Sequence, residues 1–299
     1  MGISRRSLFK VVAAAGAGSA ASALAPLKAR ADQAATSDET IGMLYDSTKC
    51  TGCKACMAAC NQANGISPDT ETSGGRAHMP VDLNEHTLNI IKVYQDSSTG
   101  DHAYIKRQCM HCVDPACVTA CMLGAMKKRS DGVVTYDPSL CIGCRYCEMG
   151  CPFNVPKFEW SKTAPKIVKC QLCRDRLALG KQPACTEVCP AGAVIFGKRK
   201  DLLVEAHNRL DSNPGRYLPK VYGEHDAGGT QVLYLACVGF DKLGLPSYGN
   251  QPVPHTVDAV QHAIYQGFVA PVALYGVLAG VIWRNRKRAG ETGEQSEQP

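Results

Sequence analysis

Aromatic side chains are scarce, at 6% of 299 residues with two tryptophans, so a large aromatic-rich core is not expected. The 28 glycines and 17 prolines follow no period, which excludes a collagen-like rod, and an apolar fraction of 45% excludes a wholly disordered chain. Acidic residues are missing from the first 31 positions, where Arg5, Arg6, Lys10, Lys28 and Arg30 stand alone. Residues 32–283 carry no net charge, so the formal +6 of the chain lies entirely at its ends. A nucleic-acid binder concentrates positive charge on its folded body, and that class falls. No G-x-G-x-x-G joins a strand to a helix, and Gly228-Gly229 reads as a turn. No hydrolase motif joins a serine, a histidine and an acid.

The two ends read as addresses. Ser4-Arg5-Arg6-Ser7-Leu8-Phe9-Lys10 precedes a mild Ala/Gly/Val run and then Ala29-Arg30-Ala31, with cleavage expected after Ala31. Paired arginines before a weakly apolar stretch resemble a twin-arginine signal. Near the other end, Ala263 to Trp283 is free of formal charge. As a helix it would be about 31 Å long, matching a hydrocarbon core of about 30 Å. Tyr265 and Trp283 near its ends fit interfacial aromatics, and the following Arg-Asn-Arg-Lys-Arg puts that flank in the cytoplasm. The expected topology is a body on the periplasmic face, one membrane helix and a cytoplasmic tail. Gly276 and Gly280 form a small-xxx-small pair that could pack another membrane helix.

The dominant feature is 17 cysteines. Sixteen form four runs of four: Cys50, Cys53, Cys56 and Cys60; Cys109, Cys112, Cys117 and Cys121; Cys141, Cys144, Cys147 and Cys151; and Cys170, Cys173, Cys185 and Cys189. A C-x2-C-x2-C loop wraps three thiolates around one iron–sulfur cube, while the fourth cysteine turns away to a second cluster, so such runs work in pairs. Sixteen ligands imply four 4Fe–4S clusters. A disulfide framework is disfavoured because thiols so crowded fit poorly to regular disulfide geometry. Zinc ribbons leave the third and fourth cysteines unexplained, and the wider C-x4-C-x2-C of a 2Fe–2S site is absent.

On these runs the chain resembles the four-cluster ferredoxin subunits that wire membrane-associated oxidoreductases. Gly42-Met43-Leu44-Tyr45-Asp46, Gln108-Cys109-Met110-His111-Cys112-Val113-Asp114-Pro115 and Gly228-Gly229-Thr230-Gln231-Val232 are similar to one branch, the ferredoxin-like subunits of hydrogenase-2-type membrane [NiFe] hydrogenases. The resemblance implies an α+β fold of two tandem bacterial-ferredoxin-like lobes, each holding two clusters, and a single C-terminal membrane helix. It also implies nested pairing: cluster A on Cys50, Cys53, Cys56 and Cys189; B on Cys60, Cys170, Cys173 and Cys185; C on Cys109, Cys112, Cys117 and Cys151; D on Cys121, Cys141, Cys144 and Cys147. Cys60 and Cys121 lack the proline that usually follows the last cysteine, which leaves ligation intact. The implied partners are the hydrogenase large and small subunits and a multi-span, quinone-reactive membrane subunit. Two alternatives stay open: the beta subunit of an exported molybdenum or tungsten formate dehydrogenase, and an anchoring protein whose clusters are redox-silent staples.

The expected organisation follows. Residues 1–31 are the signal; 32–105 with 161–200 form the outer lobe and 106–160 the inner lobe. Residues 201–260 form a connector, 261–284 the membrane helix and 285–299 the tail. Strands are expected near Leu88–Tyr94, Val133–Tyr136 and Ala193–Phe196, a surface loop over Ser67–Arg76 and a helix over Asp201–Leu210. Residues 211–254, rich in Pro and Gly, read as irregular. His111 is expected to donate a hydrogen bond near a cluster, not to bind iron. His255 and His262 suggest a haem or quinol role but fit a polar interface better. Cys237 reads as a small buried apolar residue, and Lys54 and Arg145 as cations that raise cluster potentials.

Overall fold

The computed structural model describes residues 39–67, 82–96, 102–254 and 269–293. Residues 34–254 form one compact unit. The candidate signal arginines Arg5 and Arg6, most of the expected 67–76 loop, and His255 and His262 lie outside the described residues.

Strand β1 (Ile41–Asp46) is the centre of a three-stranded sheet. It runs antiparallel to β8 (Val194–Lys198), with Met43 opposite Phe196, and parallel to β9 (Val232–Leu235), with Leu44 opposite Leu233. Side chains on a strand alternate faces, and here both faces are covered. Leu44, Leu233 and Leu235 pack with Leu202 and Ala206 of helix α6 (Arg199–Ser212). Met43, Tyr45, Val232 and Tyr234 point the other way, into the core that holds most of the cysteines.

Three two-stranded ribbons complete the body. β2 (Asn89–Gln95) pairs with β3 (His102–Gln108), β4 (Met126–Lys128) with β5 (Val134–Tyr136), and β6 (Lys157–Phe158) with β7 (Ile167–Val168). The helices α1 (Ala55–Asn64), α2 (Ala116–Thr119), α3 (Tyr146–Met149), α4 (Arg174–Ala178) and α5 (Ala184–Glu187) all begin within or beside a cysteine run.

Residues 211–254 are not a connector. They supply β9, whose four residues are buried, and Thr230 and Gln231 are 0% and 1% exposed. The Pro and Gly content marks turns that deliver β9 to β1, and the strand itself is short enough to be hidden by them. The three non-cysteine motifs meet at this seam. Met43 N–H donates to the Gln231 carbonyl at 2.9 Å, and Val113 N–H to the Gly229 carbonyl at 2.9 Å. Gln231 N–H reaches the Met110 carbonyl at 3.2 Å, and the Gln108 amide lies 3.3 Å from Met43 Sδ. A Cβ on Gly42 would collide with the Gln231 carbonyl oxygen, so glycine there is what lets β9 approach.

Helix α7 (Val269–Gly293) stands outside the compact unit and is described by itself. It does not stop at Trp283 but runs on through Arg284–Arg288. Among the described residues no helix is long and apolar enough to cross a membrane. The reason is that the uncharged part within α7, Val269 to Trp283, spans only about 22 Å; residues 263–268 of the expected span lie outside the described residues. Leu274, Tyr275, Val277, Leu278, Val281, Ile282 and Trp283 are exposed along it.

Candidate iron–sulfur sites

Each cysteine run folds by the same local device. The residue before the second cysteine is left-handed in all four: Gly52 at φ 70°, His111 at 47°, Gly143 at 75° and Leu172 at 52°. That conformation turns a backbone N–H back toward the first sulfur. Gly52 N lies 3.5 Å from Cys50 Sγ, Gly143 N 3.4 Å from Cys141 Sγ and Leu172 N 3.4 Å from Cys170 Sγ. Such concave sets of N–H groups suit anionic sulfur. Glycine carries this φ without cost; His111 and Leu172 hold it at some strain, each fully buried.

The first and third runs share more than cysteines. Tyr45-Asp46-Ser47-Thr48-Lys49-Cys50-Thr51-Gly52-Cys53-Lys54-Ala55-Cys56 matches Tyr136 to Cys147 at Tyr, Asp, the hydroxyl residue, Gly, the basic residue and every cysteine. Asp46 accepts from Thr48 N and Oγ1 at 3.0 and 2.7 Å, and Asp137 accepts from Ser139 N and Oγ at 3.0 and 2.6 Å. Lys54 and Arg145 are both left-handed, at 62° and 64°, and cap the helices α1 and α3. This internal repeat was legible in the sequence and adds Tyr45 and Tyr136 to the site. Burial, with help from Cys50 and Cys141 respectively, pushes both phenols above the ordinary tyrosine range.

Tertiary packing brings eight of the sixteen thiols together around two cavities, and charge couples the other eight in two further groups. Cys50, Cys53, Cys56 and Cys189 line one cavity, walled by Tyr45, Ile91, Lys106 and Val194. Cys121, Cys141, Cys144 and Cys147 line another, walled by Ala125, Met126, Tyr136 and Ile167 and rimmed by the exposed Met122, Leu123, Leu140 and Ile142. Cys60 is coupled by charge to Cys185 and Cys173, and Cys170 to Cys60 and Cys185. Cys112 faces Cys151, Cys109 and Cys117. Charge also couples the groups in series: Cys56 feels Cys185, Cys170 feels Cys109, and Cys117 feels Cys147. Cys53 and Cys144, one in each end quartet, are exposed.

None of the seventeen thiols is in a disulfide. Burial pushes Cys56 and Cys60 up to about 11, with Lys106 opposing the rise and neighbouring thiols adding to it. Burial likewise pushes Cys117 and Cys147 up to about 12. Thiolates in such places need a positively charged partner, which iron in a cluster supplies. The buried cations show the same fit. Lys106 is 1% exposed and donates to Gln108 Oε1. Lys169 is 3% exposed, donates to the Val134 and Cys170 carbonyls at 2.6 and 3.0 Å and lies 3.9 Å from Cys109 Sγ. Burial works to lower the Lys106 pKa, yet the charges of Cys185, Cys56, Cys60 and Cys170 hold it above the usual lysine value. A buried ammonium beside neutral thiols would be unfavourable; beside cluster thiolates it is paired. The residues present fit 4Fe–4S clusters.

One expectation is refined and another changes. His111 Nδ1 accepts the Val134 N–H at 3.0 Å, which leaves the ring proton on Nε2, a buried donor with no partner among the described residues. Burial first, and then Lys169 and Lys128, hold its pKa well below the ordinary histidine range, so the ring is neutral. Cys237 is exposed, because β9 ends at Leu235 and the chain turns outward. Sequence reasoning missed Lys106 and Lys169, which read as ordinary strand-edge lysines without the partners that bury them.

The description 4Fe-4S dicluster domain matches residues 100–199. The chain is 39% identical to the hydrogenase-2 operon protein HybA of Escherichia coli O157:H7, over 85% of this chain and 87% of that protein. It is 34% identical to the nitrate-inducible formate dehydrogenase iron-sulfur subunit of Escherichia coli K12, over 80% and 81%. A formate dehydrogenase iron-sulfur subunit of Haemophilus influenzae is 34% identical over 73% and 70%. With cysteine quartets that fit clusters and relatives of this extent, the chain belongs to the family of 4Fe–4S iron–sulfur electron-transfer subunits that includes HybA and the formate dehydrogenase iron–sulfur subunits.

Proposed function

We propose that this chain carries four 4Fe–4S clusters and relays electrons between a periplasmic [NiFe] hydrogenase catalytic dimer and an integral membrane, quinone-reactive subunit. The observation that carries the reading is two cavities, each lined by four cysteines of which one, Cys53 or Cys144, is exposed, with the other thiols coupled by charge between them. A bound cluster with four cysteine ligands supplies one-electron transfer and has no open position for substrate. The protein's own residues set the conditions: left-handed turns aim N–H groups at sulfur, apolar walls exclude water, and buried lysines balance thiolate charge. The ligand sets proposed are those of clusters A to D above. Identity to a hydrogenase-2 operon protein favours hydrogenase over other donors.

The same proposal places the body on the periplasmic side, exported by the Arg5-Arg6 signal and anchored in the lipid bilayer through 263–283. The exposed apolar side chains of α7 support an apolar environment for that segment. A second reading, a formate dehydrogenase subunit, is favoured by the relatives at 34% identity. Purification of the intact complex decides between them: nickel supports hydrogenase, and molybdenum or tungsten supports formate dehydrogenase. A redox titration followed by electron paramagnetic resonance tests the relay itself. Clusters that stay silent across the hydrogen-to-quinone range would leave them as structural staples.

A further inference from the structure

Lys106, 1% exposed, is the most deeply buried cation among the described residues of the body. It sits on β3, and its ammonium donates to Gln108 Oε1. The Gln108 amide nitrogen is held 3.3 Å from Met43 Sδ, which fixes the amide with its oxygen toward the lysine. The Lys106 carbonyl accepts from the Tyr234 hydroxyl at 2.8 Å, so its backbone is tied to the central sheet. Among the described residues no carboxylate pairs with it. Its electrostatic partners are Cys56 of quartet A and Cys60, Cys170 and Cys185 of quartet B, and it also walls the quartet A cavity. Lys54 and Arg145, by contrast, are half-buried, where solvent screens a charge.

We propose that Lys106 is a fixed cation shared by quartets A and B, a positioning residue that raises the reduction potential of both. The inference rests on the reading that these quartets hold 4Fe–4S clusters. Four thiolates leave such a cluster net negative, and reduction adds one more negative charge. A permanent positive charge within a dry interior stabilises the reduced form more than the oxidised one. The added electron comes from the hydrogenase or formate dehydrogenase partner. One ammonium that walls the quartet A cavity and is coupled by charge to quartet B acts on both, whereas the buried cation beside quartet C is Lys169, 3.9 Å from Cys109 Sγ.

The test uses the intact membrane complex with Lys106→Met and Lys106→Arg. Iron and sulfide are counted, and all four potentials are titrated by electron paramagnetic resonance. With Lys106→Met the expected result is unchanged iron, two clusters titrating at lower potential than in the wild type, and two unmoved; Lys106→Arg stays near the wild-type values. Four unmoved potentials with full iron would overturn the proposal and leave the cluster reading intact. Loss of two clusters from Lys106→Met, whether or not Lys106→Arg keeps them, would show that the side chain holds the clusters in place and does not tune them, and the proposal falls. A wild-type complex without iron–sulfur signals would instead overturn the cluster reading itself.

Discussion

At the scale of single residues, ligands and backbone turns carry different loads. Cys147 is a buried member of the fourth quartet. Cys147→Ala should cost about four iron atoms per chain while hydrogen uptake with an artificial dye persists, since dye draws electrons upstream of that quartet. Loss of dye-linked activity in an assembled complex would count against the relay. Gly52 is a backbone case: it holds φ 70°, and a Cβ there would run into the Tyr104 ring. Gly52→Ala should lower stability by about 1–3 kcal/mol, seen as earlier thermal loss of the cluster absorbance. The cysteines and glycines were legible because their chemistry is local, set within a few residues of chain. Lys106, Lys169 and the acceptor role of His111 were not, since each is defined by partners tens of residues away.

At the scale of elements, one strand of the central sheet was visible: Ala193–Phe196, where Val194–Lys198 forms. Alternation and β-branching also mark Leu88–Tyr94 and Val133–Tyr136, and strands Asn89–Gln95 and Val134–Tyr136 of two ribbons form there. β9 escaped because four residues between Gly-rich turns carry too little pattern to read, and its pairing partner lies almost two hundred residues earlier. Its role makes a specific prediction. Leu233 is fully buried against α6 and β1. Leu233→Ala should destabilise the body by about 2–5 kcal/mol, measured as a lower midpoint of unfolding. A true connector would tolerate the change with no measurable shift.

At the scale of the whole molecule, the ends and the body answer to different physics. If Arg5 and Arg6 form an export signal, Arg5→Lys with Arg6→Lys should leave the iron-loaded chain in the cytoplasm, detected by fractionation. If the segment 263–283 anchors the protein, a chain cut before Ala263 should leave the membrane fraction while keeping about 16 iron atoms. Chelating the iron from the complete protein should unfold the body, because buried thiols and lysines lose their mutual charge balance; circular dichroism reads the loss. The sequence by itself determined the cysteine spacing, the cluster chemistry that spacing implies and the charge asymmetry of the ends, because these depend on neighbours along the chain. Only the tertiary structure decided that Cys189 joins Cys50, Cys53 and Cys56 around one cavity, that Val232–Leu235 completes the central sheet and that the Lys106 ammonium is buried in the wall of that cavity. Burial and long-range pairing belong to the packed chain, and local pattern does not record them.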